Sequence, residues 1–67
     1  MFSQEQILNL CYLAYGYERS EDHDEFFLEN PIVYPFPYES YLFGWQPVPS
    51  YESLYAWVEG RKHLYAS

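Results

Sequence analysis

Apolar side chains recur at Ile7, Leu10, Cys11 and Ala14, the i, i+3, i+4, i+7 spacing of one helix face. Leu8, Tyr12 and Tyr15 form an adjoining stripe, and only Asn9 interrupts the apolar character between Ile7 and Tyr15. A helix apolar over so wide an arc is covered on more than one side. Its ends are marked as well. Ser3 and Gln6 match a capping box, Phe2 occupies the staple position opposite Ile7, and Gly16 offers a C-terminal stop. The pattern predicts a helix over residues 3–15. A second helix is predicted over 50–64, with Ser50 as cap, Leu54, Trp57 and Val58 at helical spacing, and Tyr51 and Tyr55 beside them. Gly60 either ends or weakens it, and Arg61, Lys62 and His63 complement the dipole at its C-terminal end.

Between these helices the character changes twice. Residues 18–30 hold Glu18, Glu21, Asp22, Asp24, Glu25 and Glu29 against Arg19 alone. Ser20 can cap a short acidic helix over 20–29, Phe26, Phe27 and Leu28 would anchor its far end, and Asn30-Pro31 stops it. Residues 31–49 then carry all five prolines, with Ile32-Val33-Tyr34 and Tyr41-Leu42-Phe43 between them. Proline confines strands to sheet edges, so 31–48 is expected to be extended chain or a short hairpin turning near Pro37 to Ser40, with no helix crossing it. The expected fold is a small α+β or mainly α domain spanning 1–67, with a pure helical bundle as the alternative.

Size decides what the aromatic content means. The chain has 67 residues, of which nine are Tyr, five Phe and two Trp. A domain this short buries only about 60% of the surface its unfolded chain exposes. Each ring can bury about 150–250 Å², so a few suffice for a core and some tyrosines must lie at the surface, where their amphipathic rings suit binding. Cys11 is the only cysteine, which excludes an internal disulfide and fits a reducing, cytoplasmic setting. The start Met1-Phe2-Ser3-Gln4-Glu5 lacks the positive region of a signal peptide, and no apolar run is long enough to span a bilayer.

Charge narrows the partners. The formal net charge is −7, and residues 1–30 hold seven acids against Arg19, a net of −6. Direct nucleic-acid binding is disfavoured, since phosphate contacts need Lys and Arg, and anionic membranes repel such a chain. The complementary partner is a protein with a basic surface.

Catalytic and metal chemistry find little support. Asp22 and Asp24 have the one-apart spacing of a calcium loop, but the turn Gly and terminal Glu are missing, and His23 would point elsewhere on a helix. Cys11 sits inside the most apolar helix, His23 and His63 lack the setting of a triad, and no Gly-rich phosphate loop is present. No cofactor is expected.

Two binding surfaces remain. Acids at i, i+3, i+4 and i+7 of a helix fall on one face, so Glu18, Glu21, Asp22, Asp24, Glu25 and Glu29 can present carboxylates in a row, as a nucleic acid presents phosphates. In size and composition the chain resembles the small acidic proteins with which phages and mobile elements block host nucleases or transcription factors, without a family motif. That likeness implies a DNA-mimicking inhibitor of a nucleic-acid-binding protein. The alternative is a structural adaptor or obligate subunit, docking through Tyr34, Phe36, Tyr38, Tyr41 and Trp45 onto a partner or a second copy of itself. An ordinary solvated helix face and a set of core rings are the plain readings of the same residues.

Overall fold

A computed structural model describes residues 2–65. Helix α1 spans Gln4–Tyr15, α2 Glu21–Glu29, α3 Tyr38–Leu42 and α4 Tyr51–Glu59, with single 3-10 turns at Pro31–Val33 and Lys62–Leu64. The fold is mainly α, and no strand occurs among the described residues.

Local chemistry sets the helix ends. The Ser3 hydroxyl accepts from the Gln6 amide at 3.2 Å while the Gln6 side chain accepts from the Ser3 amide at 3.0 Å, the reciprocal capping box. Gly16 closes α1 with φ of 71°, a left-handed conformation that glycine adopts without a Cβ clash, and its N–H donates to the Tyr12 carbonyl. Ser20 and Ser50 cap α2 and α4 through the amides of His23 and Ser53. Helix α4 is shorter than the expected 50–64. The chain leaves helical geometry after Gly60, and Arg61 turns back so that its guanidinium donates to the Trp57 carbonyl at 3.2 Å.

Residues 31–48 correct the expected hairpin and the α+β fold. Pro31 begins a 3-10 turn, where its missing N–H costs nothing, and Pro37 precedes α3. The interval from Tyr38 to Gln46 is free of proline, which leaves room for one helical turn to satisfy its own backbone. A lone hairpin would be marginal in water. The stretch is tied down by tyrosine hydroxyls in place of a ladder. Tyr15 donates to the Val33 carbonyl at 2.6 Å and Tyr65 to the Pro35 carbonyl at 3.0 Å.

Helix α1 occupies the centre. It packs against α4, α2 and the Lys62–Leu64 turn, burying Ile7, Leu8, Leu10, Cys11 and Ala14. Phe27 enters from α2, Leu54 and Val58 from α4, and Phe36 from the proline-rich segment. Phe2 packs on this core with its ring edge-on to Tyr51 of α4. Of the sixteen aromatic residues, only Phe27 and Phe36 are buried, and each of the nine tyrosines keeps a partly or fully exposed ring. No helix among the described residues is long and apolar enough to cross a membrane.

Candidate functional site

Helix α2 divides its acids between two tasks. Asp24 turns inward, accepts a hydrogen bond from the Tyr12 hydroxyl and lies 3.3 Å from Arg19. Arg19 also forms a bidentate pair with Glu5, both oxygens at 2.8 Å, and its guanidinium lies 5.0 Å from the Tyr12 ring centroid. The one cation of this half of the chain is therefore held by Glu5 and Asp24. Its hydrogen bond holds the Glu5 carboxyl below its ordinary value. His23 also serves the fold, with Nδ1 2.6 Å from the Glu18 carbonyl and its ring 5.0 Å from that of Tyr17.

The other carboxylates are left outward. Glu21, Asp22, Glu25 and Glu29 are exposed and have no ion-pair partner among the described residues, and Glu18 stands exposed just before the helix. At 100° per residue the four helical acids share one face, with Phe26, 44% exposed, at its edge. From Glu21 to Glu29 the axis rises about 12 Å, so the row carries about one charge per 3–4 Å, close to the 3.4 Å per phosphate of one DNA strand. Within its own helix the row is mixed: Glu21 and Asp22, in the first turn, suit the dipole, and the remaining terms oppose it. Glu21–Glu25 and Glu25–Glu29 are like-charge pairs four apart, each destabilising by about 0.2–0.5 kcal/mol, and Glu29 lies at the end where the dipole disfavours a negative charge.

The second surface lies on residues 31–48. Phe36 is a core residue, 6% exposed, and Tyr34, Tyr38 and Tyr41 are half-buried around it with ring centroids 5.2–6.3 Å apart. Trp45 is 72% exposed and pairs with Phe43 at 5.8 Å. Ile32 is 92% exposed and faces a shallow groove that it shares with Phe36, Pro37, Tyr38, Glu39, Ser40 and Trp45. A smaller depression between Phe2, Tyr38, Tyr41, Leu42 and Val48 adjoins it through Tyr38.

No family model, curated protein or solved structure matches this chain. The two surfaces are linked through the Pro31–Val33 turn, which packs against α2 and carries Ile32. Sequence reasoning singled out Trp45 but passed over Ile32, Phe43 and Val48. An expected strand would set Ile32 and Tyr34 on one face, but the 3-10 turn sends Ile32 out while both Val33 and Tyr34 pack against the core.

The remaining reactive group is enclosed. Burial pushes the Cys11 thiol up to about 12, so it is protonated at neutral pH and is not poised as a nucleophile. No group of three or more metal-ligating side chains is assembled among the described residues.

Proposed function

We propose that this protein works by binding without catalysis, as a small acidic inhibitor of a protein whose surface is built to hold nucleic acid. The carrying observation is the outward face of α2, where Glu21, Asp22, Glu25 and Glu29 stand unpaired while the nearby Arg19 is engaged by Glu5 and Asp24. Folding explains only part of that row: the helix dipole favours Glu21 and Asp22 in the first turn, but not Glu25 and Glu29, whose like-charge spacing costs helix stability. A partner with Lys and Arg at phosphate spacing supplies a reason for the whole row. The carboxylates would occupy its phosphate sites, and long-range attraction would speed encounter. A DNA mimic of phage or mobile-element type, acting in the cytoplasm, is the concrete form of this reading.

Immobilised protein tests it in a cell extract at low and high salt. The captured partner should be a basic protein, released by added salt and by competing duplex DNA. Retention in the presence of saturating DNA would remove the mimicry reading.

Ile32 and Trp45 favour a second reading, because they line one groove and, with Phe43 against Trp45, form a contiguous exposed apolar patch of the kind that marks interaction sites. In it the protein is an adaptor or obligate subunit docking through its aromatic surface, on another chain or as a homodimer. Binding would then resist salt, and Trp45→Ala would impair it more than loss of the α2 acids.

A further inference from the structure

We propose that the groove between Ile32 and Trp45 seats an arginine of the partner together with a neighbouring aliphatic side chain. This inference rests on the reading that the partner is basic, and it adds a second contact of different chemistry. The groove has an apolar wall, Ile32 and Pro37, and an aromatic wall, Tyr38 and Trp45. Its one charged residue is Glu39, which is exposed. None of the chain's three cations lines it. Arg19 is paired with Glu5 and Asp24, Arg61 lies 4.2 Å from the Trp57 ring centroid, and Lys62 follows it in the last turn.

Charge complementarity selects the occupant. A guanidinium is planar and weakly hydrated, so it stacks on an indole face while its N–H groups reach a carboxylate. Trp45 and Glu39 offer that combination, and an aliphatic neighbour would cover Ile32. A second copy of this chain is disfavoured, because it would bring its own Glu39 and a further net charge of −7 to the same place. An acidic segment meets the same repulsion.

The test uses the full chain carrying Trp57→Phe, which leaves Trp45 as the one indole. It is titrated with a capped octapeptide alternating Leu and Arg, and separately with its Leu–Glu counterpart. Trp45 emission should change to saturation with the first and stay constant with the second. Ile32→Asp and Glu39→Lys should each raise the apparent Kd at least about tenfold. Both positions are exposed, so neither change removes a packed contact, and far-UV circular dichroism verifies the fold.

Three outcomes would overturn the groove assignment. These are no Trp45 response to either peptide, an unchanged response in both variants, and Trp45 emission that varies with protein concentration as sedimentation shows a dimer. A variant with Glu21, Asp22, Glu25 and Glu29 all changed to Lys separates the two readings. If it keeps the Trp45 response, the groove binds without the acidic row. If it alone loses the response, the peptide was held by α2, which overturns the groove assignment and leaves the reading of α2 standing.

Discussion

Asp22 and Asp24 lie two positions apart in the same acidic run and have different environments. Asp22 is exposed and free of ion pairs among the described residues, whereas Asp24 accepts from Tyr12 and pairs with Arg19. The Tyr12 hydroxyl, its one proton directed at Asp24, also accepts from the Ser20 N–H at 3.4 Å, so it joins α1 to the start of α2. Asp24→Asn should therefore lower the thermal midpoint, while Asp22→Asn should leave it within about 3 °C of the parent. Differential scanning fluorimetry of the two variants checks this, and equal midpoints would assign Asp24 to the surface row. Nothing in the spelling Glu-Asp-His-Asp-Glu distinguishes the two aspartates. The difference depends on the phase of α2 against α1, which places residue 24 beside Tyr12. Phe36 teaches the same lesson. It stands in an alternating run with Tyr34 and Tyr38, and only the path of the chain through Pro35 and Pro37 sends its ring inward.

At the scale of elements, the helices were legible and the proline-rich segment was not. Helices α1, α2 and α4 announce themselves through serine caps and periodic apolar residues, which act within a few positions of the chain. The α4 boundary was overextended because Arg61, Lys62 and His63 suit a helix end wherever it falls, and Gly60 alone marks the true one. The β-branched and aromatic residues of 31–48 favour extended chain, but strands need partners and no strand occurs among the described residues. The two glycine caps give a sharp contrast. Gly16 is left-handed at φ 71°, so Gly16→Ala should cost about 1–2 kcal/mol. Gly60 is right-handed at φ −68°, and an added Cβ would lie 3.5 Å from the Ala56 carbonyl oxygen, an ordinary contact. Gly60→Ala should stabilise by about 0.4–1 kcal/mol through the unfolded chain. Urea unfolding should show opposite signs, and equal signs would contradict the cap assignments.

For the whole molecule, rings and charge have separate pH signatures. Burial raises the Cys11 thiol from an ordinary 9.0 and the Tyr15, Tyr34 and Tyr51 phenols from 10.0. The folded chain holds these protons more tightly than the unfolded chain. Their contribution is thus complete below those ordinary values and is lost as pH rises through and beyond them. Urea midpoints should fall between pH 8.5 and 11, and the native thiol should resist alkylation at neutral pH. Glu5 acts at the opposite end. Its pair with Arg19 lowers its folded-state value, so that contribution is present above 4.5 and is lost as pH falls through the lowered value.

The α2 row should leave little trace in such stability measurements, since its carboxylates face solvent and their favourable and unfavourable helix terms oppose each other. Its most direct test is the affinity of the captured partner for the parent protein and for the variant with Glu21, Asp22, Glu25 and Glu29 changed to Lys, measured across a salt series. The parent should lose affinity steeply with salt, and the variant should bind at least about 100-fold more weakly at low salt, with far-UV circular dichroism verifying that it stays folded. Equal affinity of the two proteins, with the same response to salt, would contradict the assignment of α2 as the docking face.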